Sequence, residues 1–259
     1  MYNYYMEHKE LLVDKIKRIR KMHHDGTDEK DWHNLLAGSY LRDFVYGAND
    51  GIITTFAVVA GVAGADLSAS IVLILGAANL LADGFSMSSG NYLSEKSNRE
   101  YVTSELKKEE WEIEHLPEEE KKEIREIYQA KGLSGQVLEE VVKAITADKK
   151  LWAKEMLVHE LGLLPNEEKV KPLATAGVTF VAFVVAGVIP LLPYIFNLPV
   201  YSSFVWAIIF TGLALFIVGS LRALLTEKKW WLSGLEMLMV GALAASVAYV
   251  VGAFLGGLS

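Results

Sequence analysis

Residues 172–221 read PLATAGVTFVAFVVAGVIPLLPYIFNLPVYSSFVWAIIFTGLALFIVGSL, without one charged side chain. A bilayer's hydrocarbon is ~30 Å thick and takes about 20 apolar residues to cross as a helix. This run therefore holds two crossings, parted by a turn containing Pro190, Pro193, Asn197 and Pro199. Working outward, 237–259 is again uncharged, and two weaker apolar segments lie near 44–65 and 69–91. Five spans follow, at about 44–65, 69–91, 172–195, 201–222 and 233–256.

The charges sit elsewhere. Residues 95–171 hold 19 of the 32 acidic and 14 of the 25 basic side chains. The expected fold is an all-α membrane protein, with five transmembrane helices and a three-helix cytosolic insert between spans two and three. The division is an amphipathic cytosolic arm over 1–40, spans one and two over 41–93, the acidic helical insert over 94–170, and spans three to five over 171–259. The turn at 64–68, the turn between spans three and four and the C-terminal tail carry no Lys or Arg; the arm with its junction to span one (1–42), the insert with its junction to span three (95–171) and 222–229 carry them all. The positive-inside rule then puts the N-terminus and insert in the cytosol and the C-terminus outside.

Cysteine is absent, which excludes disulfides and thiolate chemistry. The first 40 residues are polar, with a basic run at Lys15–Lys21 and no apolar core behind it to mark a cleaved signal. Leu11, Leu12, Ile16, Ile19 and Met22 among these bases predict a helix over about 7–24, on the inner membrane surface or against the insert. His8, His23, His24, His33, His115 and His159 all lie outside the spans. The net charge of −7 comes mostly from the insert; no base-reading motif is present and the acidic domain would repel phosphate, so no nucleic-acid partner is expected.

Within the insert, a first helix continues span two over about 92–115. Pro117, followed by Glu118, Glu119 and Glu120, starts a second, which ends near Lys131 and Gly132. A third is expected from about 135 to 161. Leu106, Trp111, Ile124, Ile127, Val141, Ile145, Trp152 and Leu157 are its candidate core. Gly47 with Gly51, Gly84 with Ser88 and Gly252 with Gly256 are small pairs four apart, suited to close helix packing within one chain or between two.

Ionisable groups inside spans need a reason. Asp50 lies in span one, with Asp43 two turns earlier on the same face. Asn79, Asp83 and Met87 step by four along span two, continued by Asn91 and Glu95. Oxygen donors with one thioether suit a borderline divalent cation; polar packing between helices is the alternative. In the insert, Glu109 with Glu112, Glu120 with Glu123, and Met156 with Glu160 pair at helical spacing. Gathered together, these carboxylates would repel unless a cation lay between them. Spread apart, they are solvated faces.

The segment Asp43–Phe56 (DFVYGANDGIITTF) resembles the first-span signature of the vacuolar iron transporter family and its prokaryotic relatives. Residues 79–94 (NLLADGFSMSSGNYLS) resemble the second, and 235–241 (LEMLMVG) are also similar. The resemblance implies a dimeric exporter of Fe²⁺ from the cytosol in exchange for protons, with a prokaryotic cell membrane expected over a vacuolar one. It implies no tightly bound cofactor and no enzyme activity, with Fe²⁺ as substrate and Mn²⁺, Zn²⁺ or Co²⁺ as other ions for the cytosolic sites. It gives Asp50 and Met87 the ion path, joined by Asp83, Asn79 and Asp43, and gives Glu109, Glu112, Glu120, Glu123, Met156 and Glu160 the cytosolic metal site. This chain departs from the eukaryotic pattern at Asn79, where an acid is expected, and at Leu157, where a second methionine might follow. A competing reading is a membrane-anchored, ferritin-like iron-binding or iron-oxidising protein. Glu112-Ile-Glu-His115 is one Glu-x-x-His motif where a di-iron bundle needs two.

Overall fold

The computed structural model describes residues 35–165, 171–196, 200–223 and 228–258. The arm's helix and the histidines at 8, 23, 24 and 33 lie outside the described residues. All regular structure among the described residues is helical. In chain order it comprises α1 (Leu35–Gly64), α2 (Ala69–His115), α3 (Pro117–Ala130), α4 (Gly135–Thr146), α5 (Lys149–His159) and α6 (Pro172–Gly187). A 3₁₀ turn (Ile189–Leu191), α7 (Leu192–Ile195), α8 (Val200–Arg222) and α9 (Trp230–Gly256) follow. Five stretches are long and apolar enough to cross a membrane: Tyr40–Gly64, the start of α2, Pro172–Ile195, Ser203–Arg222 and Trp230–Gly256.

These match the five expected spans, with one change of shape, and bear out the expected run of span two into the insert. Pro190 and Pro193 do not lie in a loop but turn the end of the third span into a 3₁₀ step and a short helix. Proline lacks the amide hydrogen and breaks the regular ladder there. The second span does not stop at the membrane. α2 runs unbroken for 47 residues, about 70 Å at 1.5 Å per residue, more than twice the hydrocarbon thickness.

α1 is the central span, packed against α6, α9, α8 and α2. Its glycines set the distances. A Cβ on Gly51 would run into the carbonyl of Phe183 on α6, and one on Gly47 would come 2.5 Å from the carbonyl of Thr179. On α9, a Cβ on Gly252 would collide with the carbonyl of Gly61, and one on Gly256 would lie 2.7 Å from Ala65 Cα. On α2, Gly84 packs on Phe183, and Ser88 Oγ donates to the carbonyl of Ala176 at 2.8 Å. All three small pairs are thus used inside one chain. Large apolar side chains such as Ile74, Phe85, Leu243, Val247, Val250 and Phe254 point outward from α2 and α9, as lipid contact requires.

Beyond the membrane, α3 and α5 fold against the far part of α2, and α4 packs on α3 and α5. Ile113, Ile124, Leu138, Val142, Ile145, Trp152, Ala153 and Met156 form their core. The helix expected over 135–161 is two helices. It stops at Thr146 and restarts at Lys149, where Asp148 accepts from the amides of Lys150 and Leu151 at 2.9 and 3.3 Å. Such a cap satisfies amides that a new helix leaves unpaired. Trp111 is not core: it is 56% exposed and stacks on His115. The phase of α2 turns Glu109 and Ile113 inward instead.

The close approaches around α1 predict an asymmetry among glycines. Gly51→Ala and Gly252→Ala should each lower stability by ~1–3 kcal/mol through overpacking. Gly177→Ala, which meets nothing within 4 Å, should not. Thermal unfolding of the detergent-solubilised protein, followed by tryptophan fluorescence, reads the difference.

Candidate metal centre and membrane path

Glu109 and Glu112 lie one turn apart on α2, and Glu120 lies in the first turn of α3. The reversal at Leu116 and Pro117 folds α3 back, and the apolar face containing Ile124 docks on Ile113. This carries Glu120 inward. Oxygens of Glu109, Glu112 and Glu120 lie within 4.8 Å of one another. Glu109 and Glu120 are each only 4% exposed, and Oε2 of each is buried without a hydrogen-bond partner. Unpartnered buried oxygens are rare because they lose their hydration. A cation between them would supply what water and protein do not.

Of the other predicted ligands, Glu123 and Glu160 lie close enough to this trio for their charges to act on it. Glu160, at the C-terminal end of α5, lies close enough to Glu123 of α3 for their charges to interact. Met156, one turn before Glu160, is fully buried with Ile113 and Ile124. Burial pushes the Glu109 carboxyl up to about 8, helped by Glu160, Glu120, Glu112 and Glu123. Burial likewise raises Glu120 to about 7, helped by Glu123, Glu112, Glu160 and Glu119. Glu160 is raised by burial and then by Glu123 and Glu112. Desolvation and like charge push in one direction, so protons hold the cluster together near neutrality.

Inside the apolar zone, Asp50 on α1 and Asp83 on α2 are near enough for their charges to interact. Both are half-buried, as are Asn79 and Met87. Asp43 lies nearer the start of the span and is buried. The polar stripe of α2 therefore faces the acids of α1 along one edge, and the same helix continues to Glu109 and Glu112.

Two groups went unrecognised in the sequence. Glu236 of α9 pairs with Arg222 and lies 3.7 Å from Lys228. An isolated acid in an apolar span, shortly after a basic turn, was the available signal. Tyr128 of α3 donates to Glu155 Oε2 at 2.8 Å, and His159 Nε2 lies 3.2 Å from the same oxygen. This polar clasp ties α3 to the helix bearing Met156 and Glu160. The di-iron reading is not favoured. His115 Nδ1 is 2.7 Å from the Trp111 carbonyl oxygen and its ring stacks on Trp111, while the one grouping of three or more candidate ligands among the described residues is all glutamate.

Comparison with known proteins bears on the same stretch. The VIT family profile matches residues 41–253. The chain is 38% identical over 236 residues to the vacuolar iron transporter of Toxoplasma gondii, covering 88% of this chain and 78% of that one. It is 35% identical over 238 residues to vacuolar iron transporter 1 of Arabidopsis thaliana, covering 91% and 95%, and 34% identical over 247 residues to the vacuolar iron transporter of Plasmodium falciparum, covering 92% and 90%. Five apolar helices and a match over nearly all their length lead to one conclusion: the chain belongs to the VIT family, whose members are transporters and not enzymes.

Proposed function

We propose that this protein exports divalent iron from the cytosol across its membrane in exchange for protons, with Mn²⁺ as a second cargo. The observation that carries this is the sharing of one helix. α2 bears Glu109 and Glu112 at one end and Asp83 and Met87 in its apolar part. The carboxylate cluster gathers hydrated cations on the cytosolic side, the side chosen by the distribution of Lys and Arg. The ion then sheds water onto Asp50, Asp83, Asn79 and Met87, oxygen and thioether donors suited to Fe²⁺ or Mn²⁺. Protonation of a membrane carboxylate from the far side releases it.

A second copy completes the path in this reading. Asp83, Asn79 and Met87 are only half-buried, on a helix whose neighbouring side chains Leu81 and Phe85 point outward. A carboxylate facing lipid is costly, so a homodimer that covers this edge of α2 is favoured.

Reconstitution in liposomes containing a metal-sensitive and a pH-sensitive dye tests the transport. Wild type should take up Fe²⁺ with a matching pH change, and Asp50→Ala should not. Absence of metal flux in wild type sinks the transport reading, and flux without a pH change sinks the exchange. Glu109→Gln with Glu120→Gln should raise the half-saturating metal concentration while leaving flux at saturating metal largely intact.

The cluster should also couple metal to protons. Glu109 and Glu120 bind protons in the folded state up to about pH 8 and 7, against an ordinary 4.5 when unfolded. The folded state thus holds more protons than the unfolded one in that window. Their contribution to metal-free stability is fully present below pH 4.5 and is lost as pH rises to about 8. Metal affinity runs the other way, rising through the same window with about 1–2 protons released per ion at neutral pH. Thermal midpoints measured at about pH 5 and about pH 9, with and without Mn²⁺, should show a pH-dependent loss that metal reverses. Glu109→Gln should flatten it.

A further inference from the structure

α1 and α2 make one more polar meeting, where they leave the apolar zone. Asp43 of α1 is 4% exposed, and its Oδ2 is buried with no hydrogen-bond partner. Asn91 of α2 donates Nδ2 to Oγ1 of the fully buried Thr179 on α6 at 2.8 Å. Glu95, one turn beyond Asn91, lies close enough to Asp43 for their charges to oppose. Arg42 reaches both acids: a guanidinium nitrogen is 3.7 Å from Asp43 Oδ1 and 3.8 Å from Glu95 Oε1. The Arg42 side chain is nevertheless 66% exposed.

Several features distinguish this group from an ordinary ion pair. Asp43 is buried, yet keeps one oxygen unsatisfied inside the protein. The positive charge that offsets the two acids is too far for a hydrogen bond and hangs in solvent on a flexible stem. The group also lies between the two metal-binding regions already described. Along α2, Glu95 is about 21 Å from Glu109 and about 12 Å from Met87, from the rise per residue.

We propose that Asp43 and Glu95 form a cation-binding station at the mouth of the membrane path, with Arg42 as its built-in competitor, displaced when a divalent ion enters. Two carboxylates offer hard oxygen donors of the kind that bind Mn²⁺ or Fe²⁺. A guanidinium carries one charge and never loses its proton, so it blocks the station at every working pH. A monovalent ion gains no charge advantage over it; a divalent ion does. Arg42 is thereby a selectivity residue that favours divalent over monovalent cations. The role as an entrance rests on the transport reading; the binding of a cation does not.

Ion pairs this exposed contribute little to folding, so Arg42→Gln should melt near the parent temperature. Mn²⁺ is the probe, in full-length solubilised protein whose insert cluster is silenced by Glu109→Gln, Glu112→Gln and Glu120→Gln. Electron paramagnetic resonance then counts free Mn²⁺. The expected results are loss of one bound ion in Asp43→Asn, weaker binding in Glu95→Gln, and about fivefold tighter binding in Arg42→Gln, the scale of one exposed ion pair. Arg42→Lys should stay near the parent. In liposomes, Arg42→Gln should lower the half-saturating Mn²⁺ concentration and admit K⁺ that the wild type excludes. The proposal is overturned if Asp43→Asn retains as much Mn²⁺ as its parent, or if Arg42→Gln fails to tighten binding. Wild-type liposomes that carry no metal, with those binding differences intact, would remove the transport reading and leave the station standing.

Discussion

Backbone-to-backbone contact around α1 is the constraint on which the rest depends. Gly47 and Gly51 bring α1 against the carbonyls of α6, while Gly61 and Gly64 meet α9. With those faces taken up by close packing, the face bearing Asp43 and Asp50 is left toward α2. The acids of α1 need no hydrogen bond of their own to be aimed; the glycines aim them. Without that grip, a helix bearing two acids among apolar residues would have freedom to rotate, and its carboxylates would have no fixed partner.

The second organising force is repulsion tolerated by design. Glu109 and Glu120 are buried beside like charges because the apolar contacts of Ile113, Ile124, Trp152 and Met156 hold α2, α3 and α5 together beneath them. Protons relieve the strain where no cation does. The insert is thus built to be more comfortable with a positive charge inside than without one, whether the charge is carried by protons or by metal.

Five spans were legible in the sequence because apolar length is a one-dimensional property. The continuity of α2 was legible for the same reason: no Gly-Pro signal interrupts 92–115. The residues of the carboxylate cluster could be picked out by their spacing of three, but their convergence could not, since it depends on how Pro117 folds α3 back on α2. The break before α5 had a signal, Asp148 ahead of a fresh apolar pattern, which a continuous helical period concealed. Trp111 was misplaced because bulk suggested burial, whereas the phase of α2 selects Glu109 and Ile113. Glu236 was passed over as one letter of an apolar motif, although its partners Arg222 and Lys228 stand in the adjoining turn.

The unbroken run of α2 has a further consequence, one of angular phase. A straight helix turns by about 100° per residue, so any residue gained or lost between Met87 and Glu109 swings the insert around the membrane axis. Changes of one or two residues would point the cluster away from the mouth. Insertions of seven or eleven restore the original bearing to within about 20°. The helix therefore acts as an indexed shaft: its two ends stay in register only if its length changes in steps of this kind, whereas residues added in the turns around α3, α4 and α5 would rotate nothing.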